Sequence, residues 1–359
     1  MRVRDEVITV KGDEDITFTV FETPNGVVLD PILEDKGISL RWTYYSMENR
    51  AIEGLYKINH ARTMDEFEKG VHLGTAPGLN VIYSDSRGNI ARFIHGAIPK
   101  RKARAVSDMI LEGDNPEHEW EGFYSPSEKP KIVNPKSGVI VSANYRPENT
   151  GREIHGYWQA SDRYETISEV LASRDAWSIE DMKGLQTSPV NINHLKIKLL
   201  LEKAMEGHFS EPKHENMLKK FSSWDGLATF KSPSASLYFQ WLDEAGRILL
   251  DEMNDDLYLR YCRLGAFWHF FKRQLNSSKS SWWDMTKTPK VETRDDILRK
   301  AFFKAFSYLE SHLGADFTQW HWDKLHTLTY RHPFGQKAGF GEIFNLGPFG
   351  VEGGINNIN

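Results

Sequence analysis

Apolar and polar positions alternate with period two in short runs along the first part of the chain. Val7 to Val10 and Ile16 to Val20 read as strands, with Lys11-Gly12-Asp13 as the turn between them. Pro24-Asn25-Gly26 is a second turn signal and leads into Val27-Val28-Leu29. Val81 to Tyr83 and Ile90 to Ile94 flank Asp85-Ser86-Arg87-Gly88, which predicts a hairpin. Val139 to Ala143 is one more apolar run, read as a strand that ends at Asn144. One helix interrupts the series, opened by Thr63 with Glu66 three residues on and with Phe67 on its apolar face.

From about Arg163 the spacing becomes helical. Ser178 with Asp181 has the form of a capping box, and Ile197, Leu200 and Leu201 recur at three and four. Ser234 to Met253 and the aromatic-rich Leu257 to Leu275 read as long helices. Thr293 opens another that runs to Leu313 and stops at Gly314. After Pro333 helical spacing is lost, and a Gly- and Phe-rich stretch predicts loops and short strands. The order is strands, helices, strands, which predicts an α+β fold with a large helical insertion and not a βαβ alternation. The divisions follow as 1–162, 163–333 and 334–359.

Composition narrows the chemistry. The 359 residues are 40% hydrophobic and 26% charged, enough for one large domain or two. A formal charge of −5 offers no basic surface for nucleic acid, and Lys100 to Arg104 reads as a solvated loop. No run approaches a membrane span, and Met1 to Val7 has no apolar stretch of signal-peptide type, so the sequence leaves the compartment open. Cys262 is the single cysteine, which excludes an internal disulfide and a thiolate metal cluster. Phosphate-cradling and dinucleotide-binding loops, the nucleophile elbow of serine hydrolases and His-Glu-x-x-His are absent. His321, His326 and His332 lie close in sequence, but five residues between the first two does not bring them to one helical face, and packed histidines beside Trp320 and Trp322 are the reading. Most of the eleven tryptophans are assigned to the core, with Trp282-Trp283 as a candidate ligand-binding platform. Asn144 has two readings: a turn-forming Asn near a proline, or a side-chain amide placed to donate to a developing oxyanion.

Several segments together resemble the penicillin acylase family of N-terminal-nucleophile hydrolases. They are Asn134-Pro135 to Gly138 with Ser142-Ala143-Asn144-Tyr145-Arg146-Pro147 and Arg163; Pro77, Asn80, Tyr83, Asp85, Gly88-Asn89-Ile90, Gly96 and Pro99; and Trp320, Trp322, Leu325-His326-Thr327 and His332-Pro333. The resemblance implies most of an αββα sandwich and hydrolysis of a linear amide through an acyl-enzyme. It assigns Asn144 to the oxyanion hole and Arg163 to holding the active-site groups in place. It also implies that the nucleophilic Ser, one backbone oxyanion donor and a separate small chain lie outside this sequence, and that further strands follow the Gly353-Gly354 segment. On that reading this sequence is an internal part of the large chain, inactive alone or one part of a split enzyme, with a small acyl amide as substrate. A structural calcium is common in the family; the resemblance implies that most of its carboxylates belong to the missing part, and the chain offers only Glu148, Glu153 and His155 in an unusual arrangement, so calcium is expected of the complete enzyme and not of this chain alone. No other cofactor is implied. A non-catalytic protein that uses the Trp-rich region as a binding groove is the contrasting expectation.

Overall fold

Residues 1–33, 36–102, 109–146, 154, 156, 158–209 and 211–358 are described by a computed structural model of the chain. They divide into two units: 1–142 with 146–158, and 143–145 with 159–359.

The first unit opens with β1 (Arg2–Ile8), β2 (Ile16–Thr23), β3 (Gly26–Leu33) and β4 (Lys36–Leu40), an antiparallel sheet in sequential order. The register pairs Arg2 with Glu22 and Ile8 with Ile16. Gly26 closes the tight β2–β3 turn at φ 117°, where a Cβ would meet the Leu40 carbonyl oxygen at 2.1 Å, so only glycine fits. The sheet is unusual in that neither face of β1 and β2 is covered. Val3, Val7 and Phe21 lie on one side and Ile8, Ile16 and Phe18 on the other, all of them exposed.

Three helices follow: α1 (Thr43–Ser46), α2 (Ala51–His60) and α3 (Met64–Val71). The Thr63 hydroxyl accepts from the Glu66 N–H, as the spacing predicts, while the Glu66 carboxylate reaches the Arg62 N–H. α2 and α3 approach closely through Gly54 and Gly70, since a Cβ on Gly54 would lie 2.8 Å from the Gly70 carbonyl oxygen. The apolar face of α3 then covers the hairpin of β5 (Leu79–Ser84) and β6 (Ile90–His95), where Val71, Ala91 and Phe93 are fully buried with Phe67 packed against them. β7 (Pro99–Arg101) pairs with β8 (Trp120–Phe123), and β9 (Ile132–Val133) adds to β6. The run Val139 to Ala143 joins no sheet among the described residues. Val141 and Ala143 are buried, so the apolar signal was real, but burial alone does not make a strand without a partner edge.

The second unit is mainly helical: α4 (Asp162–Ala172), α5 (Ile179–Gln186), α6 (Ile192–Met205), α7 (Pro212–Ser222), α8 (Pro233–Leu249), α9 (Asp255–Cys262), α10 (Gly265–Leu275) and α11 (Arg294–Leu313). α11 starts after Thr293 and ends before Gly314, as those two residues signal; the structure adds a capping box between Thr293 and Asp296 and places Gly314 at φ 92° just past the helix end. Leu257 to Leu275 is broken into α9 and α10, because Leu264 takes an extended conformation ahead of Gly265. α8 packs along α11, and the Trp241 indole donates to the Leu298 carbonyl at 2.7 Å in the middle of the core. The chain ends with β10 (Thr327–Tyr330), α12 (Gly341–Phe344) and β11 (Leu346–Gly350), where the two strands form an antiparallel pair. The fold class is therefore α+β, as the order of patterns predicts.

Candidate functional site

Asn144 and Arg163 meet within the second unit. Asn144 does not end a strand. It sits at φ 59°, in the left-handed region that Asn tolerates better than most residues because its short amide satisfies nearby backbone groups. Its carbonyl accepts from the Gln159 N–H at 2.8 Å, and Tyr145 forms an isolated parallel bridge with Gln159. The segment 143–145 is thus fixed to the residues that lead into α4.

α4 holds the segment from the other side. One Arg163 nitrogen, Nη2, donates to both the Asn144 Oδ1 at 2.7 Å and the Ala143 carbonyl at 3.2 Å. The next residue, Tyr164, stacks on Tyr145 with ring centroids 3.7 Å apart. A guanidinium only donates, so its bond to Asn144 requires that the amide present oxygen to Arg163 and turn Nδ2 away. Asn144 is exposed, and its Nδ2 has no hydrogen-bond partner among the described residues. The arrangement is a held carboxamide whose two N–H donors have no partner among the described residues, with a cation behind it. Such a group is suited to a negative charge that appears on a neighbouring oxygen.

Sequence reading brought these two residues together but missed their support. Asp162, in the first turn of α4, is fully buried; its Oδ2 accepts from Lys272 Nζ at 3.0 Å and from the Trp268 indole at 3.3 Å, both on α10. In sequence Asp162 is indistinguishable from the exposed acids common at helix starts, and its partners are more than a hundred residues away.

The other candidates fall elsewhere. Glu148, Glu153 and His155 lie outside the described residues. Among the described residues no three His, Cys, Asp or Glu side chains gather. His326 stacks on Trp322 at 4.8 Å and bonds through Nδ1 to the Val351 carbonyl, and His332 Nδ1 accepts from the Phe334 N–H. Trp283 is buried with its indole on the Ser277 carbonyl, whereas Trp282 is half exposed against Phe270, so the pair does not line one groove. Cys262 is partly buried beside Tyr258, and burial raises its thiol pKa, which keeps it protonated and weakly nucleophilic.

Comparison with known proteins identifies the family. The family profile described as penicillin amidase matches residues 1–359. The acyl-homoserine lactone acylase QuiP of Pseudomonas aeruginosa is 23% identical, over 98% of this chain and 46% of its own length. The penicillin G acylase of Escherichia coli is 23% identical over 67% of this chain and 30% of its own. The chain thus spans less than half the length of these relatives. A thermostable penicillin G acylase from Alcaligenes faecalis shares the fold, with a TM-score of 0.71 at 20% identity over 89% of this chain and 62% of that one. With a family profile that covers it from end to end, the chain belongs to the penicillin amidase family.

Proposed function

We propose that this chain supplies the oxyanion-binding side of a site that hydrolyses a linear N-acyl amide, with Asn144 as the donor and Arg163 as the residue that orients it. The attacking hydroxyl, at the amino end of a chain, comes from polypeptide outside this sequence, as does a second, backbone donor. The names of the relatives point to the substrate class: acylated amines, whether acyl-homoserine lactones or penicillins.

The observation that carries the reading is the bond from Arg163 to Asn144 Oδ1. It fixes the amide flip, and so presents donors before any substrate arrives. A carbonyl oxygen gains charge as it becomes tetrahedral, and a donor already aimed there strengthens its bond at that moment. Such stabilisation acts on the transition state and not on the bound substrate, so it raises kcat with little effect on KM.

The test uses the enzyme completed by its nucleophile-bearing segment and a chromogenic N-acyl amide. Asn144→Asp keeps the size and strengthens the bond to Arg163 but leaves no N–H to donate. The expected loss is about 10²–10³-fold in kcat, the usual effect of removing one oxyanion donor, with KM within twofold. Wild-type kcat in Asn144→Asp would contradict the role of Asn144. Turnover by the present chain alone would contradict the external nucleophile.

A further inference from the structure

We propose that Asp162 is a positioning residue that holds Arg163 against Asn144; its importance for turnover rests on the reading of that pair given above. Asp162 is the only fully buried acid among the described residues, and it immediately precedes Arg163. Successive helical residues point about 100° apart, so the first turn of α4 sends one side chain into the helical core and the next toward segment 143–145.

The inward side is tied to α10 by the bonds from Lys272 and Trp268 to Oδ2. Two further bonds fix the same turn to the start of α6, and a third closes the turn on itself. The Thr166 hydroxyl donates back to the Asp162 carbonyl at 2.8 Å and accepts from the Ile192 N–H at 3.4 Å, and the Asn193 amide donates to Glu165 Oε2 at 3.1 Å. The second oxygen of Asp162 has no hydrogen-bond partner among the described residues, and neither do the Tyr238 hydroxyl and His194 Nε2, both buried and both influenced by the Asp162 charge. A buried carboxylate is costly unless it is paired and bonded. Here the pairing fixes where α4 begins. Ser161 offers no side-chain bond to the first N–H groups of α4, and its hydroxyl donates instead to Glu165 Oε1 at 2.5 Å, so Asp162 shares the placement of this helix end with the ties from α6 and anchors it to α10. No ligand is needed for the arrangement; what it delivers is the 2.7 Å contact between Arg163 and Asn144.

The experiment is nuclear magnetic resonance on the enzyme completed by its nucleophile-bearing segment, with only this chain labelled with ¹⁵N-asparagine and the Asn144 side-chain signal identified by its loss in Asn144→Asp. Arg163→Ala sets the position of a released amide. Asp162→Asn, with similar shape and no charge, is expected to move the Asn144 signal at least half of the way to that position while other asparagine signals stay. Trp268→Phe removes one donor and keeps a ring in place; it is expected to shift the signal in the same direction by less, and serves if Asp162→Asn does not fold. An Asn144 signal at its wild-type position in folded Asp162→Asn, or in Trp268→Phe if that alone folds, would overturn the proposal. In the completed enzyme Asp162→Asn is expected to lower kcat at least tenfold with KM unchanged, and to have no further effect in an Asn144→Asp background. A shifted signal with unchanged kcat would keep the positioning role and overturn the oxyanion reading instead.

Discussion

At the scale of single residues, Asn144 has two tasks that substitutions can separate. Its backbone occupies the left-handed region at φ 59°, and its amide faces solvent under the control of Arg163. Ala at this position loses the amide and strains the backbone, at roughly 1 kcal/mol for a left-handed residue with a Cβ. Gly loses the amide without the strain. We therefore expect Asn144→Gly to melt above Asn144→Ala while both lose the same activity; equal melting temperatures would show that the turn relaxes in Asn144→Ala. Of this site, Asn144 and Arg163 were legible only through their resemblance to a family pattern, since an Asn near a proline is ordinarily a turn residue. Asp162 was not legible at all. Local sequence carries no mark of a carboxylate whose partners, Trp268 and Lys272, lie on a distant helix.

At the scale of elements, α6 carries a test of how the helical unit is built. His194 is buried among Trp224, Tyr238 and Phe239, with Nδ1 on the Gly226 carbonyl at 2.9 Å. Burial lowers its pKa to about 4, partly countered by that bond and by the charge of Asp162. An unfolded histidine titrates near 6.5, so between pH 6.5 and 4 the unfolded chain takes up a proton that the folded chain refuses. Stability from this group is complete above pH 6.5 and is lost as the pH falls to about 4, by roughly 3 kcal/mol at most. Urea midpoints measured at pH 7 and pH 4.5 are expected to fall further for wild type than for His194→Gln, which does not titrate; parallel falls would contradict the neutral, buried state.

Element boundaries were readable where a cap marks them. Thr293 and Gly314 delimit α11 in the sequence as they do in the fold, and Thr293→Ala should cost about 1 kcal/mol through its lost bond to the Asp296 N–H, as read by denaturant unfolding. They were not readable where packing decides: Leu264 breaks a run whose composition favours one long helix, and Val139 to Ala143 is apolar for burial and not for pairing.

At the scale of the whole molecule, the two units differ in how well they cover their apolar surface. The helical unit has a continuous core around Trp241, Phe302 and Trp320. The four-stranded sheet of the first unit leaves Val3, Val7, Ile8, Ile16, Phe18 and Phe21 exposed across both faces of β1 and β2. An uncovered apolar sheet of this kind invites association. The chain alone is expected to sediment as concentration-dependent oligomers, and Val7→Lys with Phe18→Lys, one on each face, is expected to shift it toward monomer. A single monomeric species across the concentration range would contradict this.

If the Asn144 amide faces the oxygen that becomes negative during amide hydrolysis, a mimic of that state should be held by it. The most direct measurement is the position of Asn144 Nδ2 in a crystal structure of the completed enzyme bound to a boronic acid that mimics the tetrahedral intermediate. We predict Nδ2 about 2.7–3.1 Å from a boronate oxygen, with Oδ1 still on Arg163. A boronate bound to the nucleophile with no oxygen within hydrogen-bond reach of Nδ2 would contradict the account.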